Sequence, residues 1–471
     1  MLQEAGVEAR ECVATLAWNT QAHMEAWFAI MGIGAVCHTL NPRLGADVLA
    51  DMLRQSRARV LIASGDQREL LRAIAEHGCD LDRVFVIDES DDASLPEAPG
   101  LRVERFVADA GHGDAEWGGF DERSPSGLCF TSGTTGAPKG VTYTHRGVFL
   151  HTLRQLQAGV AGIVEDDVVL PAVPMFHANG WGLPFACAAV GATLVLPGRD
   201  TDGASLAGLI SRHAVTIAVG VPTVWLDLVD HLDRTGMSLP SLRRVMVGGA
   251  PMPEALHRRM SARGIDVQQT WGMTELSPLG TAMCPGTGTH PTTSSGTVAL
   301  GVDLQITDHL GRALDRQREN EGRLHVRGPA VVERYFGEDR PATADGWFDT
   351  GDLAVIDRSG NVRITGRSKD LIKSGGEWIN PVEIEAVVGA VPGIAKVAVI
   401  PRHHDKWGER PVMVIEMAKG AALSDEALME PLRERFPKWW MPDAIIRVPS
   451  IPLATTGKLD KKRLQSEFGG A

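Results

Sequence analysis

Short apolar runs alternate along most of the chain with stretches in which apolar positions recur every three or four residues. The runs at 60–63, 84–87, 168–173, 192–196, 215–220 and 244–247 read as buried strands. The amphipathic stretches at 45–57, 145–158, 205–213, 222–232 and 253–263 read as helices packed on them. This alternation predicts βαβ units, and so a parallel, doubly wound sheet with helices on both faces. Ligands in such sheets sit at the carboxyl ends of strands, so the turns that follow strands are where chemistry is expected.

The rhythm changes after about residue 296. Short strands at 302–307, 323–326, 354–357 and 361–365 follow one another across turns and predict a β-rich subdomain over 296–366. A second α/β pattern then closes the chain: helix 381–388, strands 396–400 and 412–416, helix 426–436 and strand 445–448. That closing segment is long enough for a small domain of its own. The polar turn at 366–370 is the expected boundary, giving a large domain over 1–366 and a small one over 367–471.

Composition narrows the possibilities. With 471 residues, 44% of them hydrophobic and 23% charged, the chain is of ordinary globular type, which excludes a fibre or a long disordered tract. Lys and Arg number 47 against 59 Asp and Glu, a net charge of −12. Such an acidic balance argues against nucleic acid and anionic membrane as partners, but not against a nucleotide held in a local pocket. Six cysteines stand far apart without CxxC spacing, the pattern of reduced thiols in a cytoplasmic protein. The polar start MLQEAGVEAR is no signal peptide, and the apolar run at 26–37 falls short of the ~20 residues that span a bilayer. A soluble, cytoplasmic protein is expected.

The strongest chemical feature is FTSGTTGAPKG at 130–140, set between two apolar runs. Gly133 and Gly136 permit close backbone approach and point N–H groups at an anion. Thr131, Ser132, Thr134 and Thr135 add hydroxyl donors, and Lys139 a positive charge. The set suits a polyphosphate. It is no Walker A loop, because Pro138 stands where GxxxxGK[ST] needs glycine before the lysine. A plain surface turn would need neither a lysine behind a proline nor so many hydroxyls.

The decapeptide TSGTTGAPKG closely resembles the phosphate loop of the adenylate-forming (ANL) superfamily, which includes acyl-CoA synthetases, luciferases and peptide-synthetase adenylation domains. Further strings recur in the family's order. PMFHANGW at 174–181 is similar to the motif that brings an aromatic gate, Trp181, and a histidine, His177, to the acyl pocket. VGGAP at 247–251 resembles the turn along adenine and substrate, through Gly248, Gly249 and Ala250. TWGMTE at 270–275 resembles the adenine and phosphate motif. There Thr270, Trp271, Gly272 and Met273 line nucleotide and substrate, Thr274 reaches the α-phosphate, and Glu275 is a hard oxygen ligand suited to Mg²⁺. WFDTGD at 347–352 is similar to the ribose motif, with Asp352 accepting from the diol. GRSKDLIKSGGE at 366–377 resembles the family's hinge and the motif after it. The resemblance implies that Arg367 contacts nucleotide, Lys369 is the pivot, Ser374, Gly375 and Gly376 wall the pantetheine tunnel, and Lys373 faces the site when thioester forms. TTGKLD at 455–460 resembles the catalytic-lysine motif, with Lys458 holding carboxylate and α-phosphate oxygens.

The implied fold is α/β: a large doubly wound N-terminal domain with a β-rich subdomain, and a small mobile α+β C-terminal lid. The implied activity is AMP-forming acid–thiol ligation with ATP/AMP, Mg²⁺ and coenzyme A. Carboxylate and ATP give an acyl-adenylate, whose AMP is then displaced by the CoA thiol. Neither step needs a covalent enzyme intermediate, so alignment and charge stabilisation are the protein's task. Stretches 178–181, 185–191, 248–250 and 276–280 are apolar or small and uncharged, which favours a hydrophobic monocarboxylic acid. Strings such as GIGAVCHTLNPRL, IKSGGEWI and KWWMPDAI look most like fatty-acyl and methylthio-propionate CoA ligases.

Two other readings stand beside this one. The chain starts almost at the segment matching 14–40, later than family members usually do. That leaves open a partial ligase performing one half-reaction, with a partner adenylating enzyme or a carrier protein. A nucleotide-binding relative without turnover is the second, though it would have no need of Lys458, Asp352, Arg367 and Glu275 together. A homodimer is also left open.

Overall fold

A computed structural model describes residues 1–87, 100–106, 116–131, 138–286, 293–454 and 457–470. Strands built of near-continuous apolar runs must be covered on both faces, and here they form two seven-stranded sheets. The first runs in the order Arg102–Arg105, Arg83–Ile87, Val60–Ser64, Cys12–Leu16, Val36–Thr39, Pro125–Phe130, Gly140–Thr144. The second runs Thr297–Val298, Leu279–Ala282, Asp266–Gly272, Arg244–Val247, Ile217–Gly220, Val168–Pro171, Thr193–Leu194.

Most neighbours are parallel, but the single all-parallel sheet expected from the alternation needs correcting. Gly140–Thr144 pairs antiparallel with Pro125–Phe130, and Leu279–Ala282 antiparallel with Asp266–Gly272. The reason is connection length. Residues 131–139 and 273–278 are too few for a crossover, which takes a dozen or more residues, so each chain folds straight back. The run at 168–173 pairs only as far as Pro171, and 192–196 only as Thr193–Leu194 at the sheet edge. Pro171 and Pro174 carry no N–H for the ladder.

Three elements near the start lacked a clear pattern: Cys12–Leu16, helix Gln21–Gly32 and Val36–Thr39. The helix's buried residues His23, Ala26, Trp27, Ile30 and Met31 fall at helical spacing, but Ala22, Met24, Phe28 and Ala29 on the other faces are apolar too, so its sequence shows little contrast. Thr20 caps it by accepting from His23 N–H. Separate cores fill the layers: one around Trp27, Ile30, Ile62 and Phe85, another around Trp225, Leu228, Val245 and Met260.

A four-stranded antiparallel meander follows: Asp303–Thr307, Glu321–Arg327, Phe348–Ile356, Val362–Arg367. Its strands overlap the short strands read at 302–307, 323–326, 354–357 and 361–365, the third starting earlier than 354. The last sheet begins at Ile372, four positions of turn having intervened after Arg367. It has five strands: Ile372–Ser374, Glu377–Ile379, Ile394–His404, Gly408–Met417 and Ala444–Val448. Helices Pro381–Gly389 and Asp425–Arg435 close over it on Ile384, Val388, Met413, Ile415, Leu428 and Leu432. The architecture is α/β, with large N-terminal sheets and a smaller C-terminal domain.

Candidate active site

The glycine-rich segment joins two strands that pair antiparallel. Phe130 lies opposite Gly140, and Thr131 N–H donates to the Lys139 carbonyl at 2.8 Å, closing the loop at its base. Ser132, Gly133, Thr134, Thr135 and Gly136 lie outside the described residues. Lys139 is half-exposed, with its ammonium 4.6 Å from the Tyr335 ring centroid and 3.9 Å from Glu338 Oε1. The same Tyr335 donates its hydroxyl to Glu275 Oε1 at 3.0 Å. Glu275 is buried in the one-turn helix Thr274–Leu276, next to a buried Thr274 whose carbonyl accepts from Tyr143 Oη at 3.0 Å. Burial pushes the Glu275 carboxyl up, opposed by Tyr335 and by the charges of Arg367 and Lys139.

Asp352 and Arg367 face each other across neighbouring strands of the meander, with Arg367 Nε 2.6 Å from Asp352 Oδ1. The other oxygen, Oδ2, accepts from Trp271 Nε1 at 2.8 Å. Burial raises the Asp352 carboxyl, with Arg367 and then Trp271 pulling it back. Trp271 and Gly272 end the strand Asp266–Gly272, where the register slips. The Trp271 ring lies over Gly280, and Met273 packs beside it against the meander core. Thr270 Oγ1 donates to the Val247 carbonyl at 3.2 Å, tying this strand to the turn at Gly248, Gly249 and Ala250.

Over that turn lies Lys458. A methyl group at Gly249 would sit 3.4 Å from Lys458 Cε, and one at Gly248 would sit 2.9 Å from Trp181 Cη2. Gly249 also has φ of 79°, which side chains avoid. Lys458 is largely enclosed. Burial lowers the pKa of its ammonium, Arg367 lowers it further, and Asp352 alone works the other way. Desolvation and then the Lys458 charge lower His177 to about 4, so its imidazole is neutral near pH 7. The Lys458 carbonyl accepts from Ala454 N–H at 2.7 Å, and Leu453 bridges Leu459.

Trp181 stands in a strained corner. Ala178, Asn179, Gly180, Trp181 and Gly182 all have φ between 45° and 76°, the left-handed region that costs about 1–2 kcal/mol per ordinary residue. The corner is gripped by helix His145–Gln155: the Trp181 carbonyl accepts from His151 Nε2 at 3.0 Å and Gln155 Nε2 at 2.8 Å. Beside it lies a small cavity lined by Tyr143, His151, Ala178, Asn179, Phe185 and Ser277 among others. Burial holds His151 neutral down to about 4. The lining is therefore uncharged, as the sequence suggested, yet it carries polar groups from a helix that the local strings did not include.

Lys373, Ser374, Gly375 and Gly376 sit in a different neighbourhood. Lys373 N–H donates to Glu409 and its ammonium lies 5.6 Å from the Trp378 ring. Ser374 Oγ accepts from Arg410 at 3.0 Å, and the Trp407 ring covers Gly375. Lys369, in the turn between the last two sheets, has its pKa lowered by partial burial. The structure thus gathers Lys458, His177, Trp181, Gly248, Gly249, Trp271, Asp352 and Arg367 together, joins Lys139 to Glu275, and leaves the Lys373–Gly376 group outside. Tyr335, His151 and Gln155 are the residues missed in the sequence; each acts across contacts that leave no local pattern.

Comparison with known proteins identifies the family. Residues 1–336 match the family model for AMP-binding enzyme, and residues 383–458 that for the AMP-binding enzyme C-terminal domain. The chain is 40% identical to the 3-methylmercaptopropionyl-CoA ligase of Ruegeria lacuscaerulensis, over 100% of this chain and 89% of that protein. It is 38% identical to the medium-chain-fatty-acid–CoA ligase of Ectopseudomonas oleovorans, over 99% and 88%. Among solved structures, ATP-bound MatB from Rhodopseudomonas palustris superimposes with a TM-score of 0.85 at 26% identity, covering 99% of this chain and 90% of that one. An anthranilate CoA ligase in complex with anthranoyl-AMP shares the fold at TM-score 0.86 and 24% identity, over 99% and 89%.

Proposed function

The chain belongs to the AMP-binding enzyme family, and from that premise we propose how its residues divide the work of an acyl-CoA ligase. The enzyme activates a carboxylic acid with ATP to an acyl-adenylate and passes the acyl group to CoA, releasing AMP. Both nucleophiles, a carboxylate and a thiol of pKa about 8.5, are competent without covalent help. The protein's contribution is therefore placement and charge.

In this reading Lys458 holds the acid's carboxylate and the α-phosphate oxygens during adenylation, with Asp352 opposing the lowering of its pKa by burial and Arg367. Asp352, held between Trp271 and Arg367, takes the ribose, and Thr274 the α-phosphate. Lys139 and the loop it closes receive the outgoing pyrophosphate. Mg²⁺ belongs at Glu275. Among the described residues no group of three or more His, Cys, Asp or Glu could hold a metal alone. One buried carboxylate is nonetheless what Mg²⁺ requires when substrate phosphates and water complete its shell. When bound, it neutralises charge on the phosphates.

The acid lies against Gly248, Gly249, Trp181 and the neutral His177, and the uncharged stretches 178–181, 248–250 and 276–280 favour a hydrophobic monocarboxylate. Lys373, Ser374, Gly375 and Gly376 serve the second step after the C-terminal domain turns about Lys369. What supports this division most is that Lys458 lies over Gly249 beside Asp352 and Arg367 while Gly375 lies under Trp407, elsewhere on the same small domain.

Half-reaction assays test it. Lys458→Ala should lower ATP–pyrophosphate exchange by at least about 10²–10³, yet leave thioester formation from synthetic acyl-adenylate intact. Equal loss of both steps would refute the division. A panel of straight-chain and methylthio-substituted acids, read by mass spectrometry for adenylate and thioester, identifies the acid.

A further inference from the structure

Helix Pro222–Thr235 begins at the carboxyl end of strand Ile217–Gly220, directly beneath the turn that carries Lys458. Thr223, in its first turn, donates its hydroxyl to the Gly457 carbonyl at 3.1 Å, across 234 positions of sequence. Gly457 has φ of 80°, and a methyl group there would lie 3.2 Å from Val221 Cγ2 and 3.5 Å from Thr223 Oγ1. Val221 is also 3.3 Å, through Cγ1, from where a Gly249 methyl would stand, on the other side of Lys458. Val221 and Thr223 thus floor the residue before Lys458, while Gly249 floors its side chain. On the far side, Ile451 N–H is held by Glu416 at 2.7 Å, a contact internal to the C-terminal domain.

We propose that Thr223 is a positioning residue for adenylation: its hydroxyl latches Gly457 and so holds Lys458 in register with the reacting carboxylate and phosphate. A lysine on a four-carbon stem carries about 2 kcal/mol of rotamer entropy. Fixing the adjacent peptide limits where its ammonium can travel, which is how preorganisation raises a rate. The latch cannot act in the second step, in which the C-terminal domain presents a different face. The inference rests on the proposed alternation of that domain and assigns it a contact made in one half-reaction only.

The test uses the full chain and separates the half-reactions. Thr223→Val keeps the shape of the side chain and deletes the donor. ATP–pyrophosphate exchange should fall about fivefold, the scale of one net hydrogen bond, while thioester formation from synthetic acyl-adenylate and the melting temperature stay as in the parent. Thr223→Ser should recover exchange. Gly457→Ala, which attacks the same contact from the other side, should lose more because its methyl meets Val221. Exchange untouched by Thr223→Val, or both half-reactions reduced alike, would overturn the latch. Lys458→Ala in the same assays separates two kinds of failure. If it uncouples the half-reactions and Thr223→Val does not, only the latch is wrong. If Lys458→Ala lowers both equally, the alternation itself fails, and the latch with it.

Discussion

Tyr335 gives its hydroxyl to Glu275 Oε1 at 3.0 Å and its ring face to Lys139 at 4.6 Å, so one side chain touches both groups proposed to meet the triphosphate and its metal. The two contacts are separable. Tyr335→Phe keeps the ring beneath Lys139 and removes the donor to a buried carboxylate, a bond worth about 1.5–3 kcal/mol. Half-saturating Mg²⁺ in the exchange reaction should rise about tenfold, with calorimetric binding of MgATP weakened in step. Tyr335→Leu also deletes the cation–π contact, worth about 0.5–1 kcal/mol at an exposed lysine, and should weaken ATP binding even where Mg²⁺ saturates. If Tyr335→Phe leaves the Mg²⁺ dependence as it is, the hydroxyl has no part in holding Glu275 for the metal.

At the scale of elements, the strand Asp266–Gly272 and its antiparallel return, Leu279–Ala282, aim Trp271 and Thr274. The slip in register occurs at Gly272, where a Cβ would stand 1.7 Å from the Pro278 carbonyl oxygen. No side-chain rotation relieves a clash between two backbones. Gly272→Ala should therefore destabilise by at least about 3 kcal/mol, the upper end for overpacking, seen as an earlier thermal melt with impaired exchange. A melt matching the parent would show that the turn can open without loss. This element also marks how far the sequence could be read. TWGMTE and WFDTGD announced Trp271, Glu275 and Asp352 because each motif is contiguous. Helices with a polar face and strands in apolar runs were visible for the same local reason. Helix Gln21–Gly32, apolar on its outer as well as its buried face, showed too little contrast for such a period. Nor did the contacts of Thr223 with Gly457 or of Tyr335 with Glu275, which depend on segments brought together only by the sheets. The antiparallel strands Gly140–Thr144 and Leu279–Ala282 were legible in principle, from loops too short to cross over, but the alternation of elements pointed the other way.

Over the whole molecule, burial keeps several imidazoles uncharged. His23, His151 and His177 are lowered to about 4 and His38 to about 3, each chiefly by desolvation. An unfolded histidine takes its proton near pH 6.5, whereas these native rings wait until about 4 or below. Between those values the unfolded chain binds more protons, so stability is lost as pH falls from about 6.5 towards 4. Melting temperature should drop steadily from pH 7 to pH 5. His38→Leu should flatten part of that slope, since His38 is fully buried on Val36–Thr39 with both ring nitrogens unpartnered. A melting temperature constant over this range would contradict the assignment. The corner that presents Trp181 is gripped by His151 and Gln155, from a helix distinct from the segments proposed to handle the nucleotide. Under the proposed reading, the grip on Trp181 lies outside the nucleotide motifs, while the Trp181 ring itself reaches the turn beside Lys458. Change at positions 151 and 155 would then reach the acid through the backbone that presents Trp181, without altering any residue proposed to touch the nucleotide.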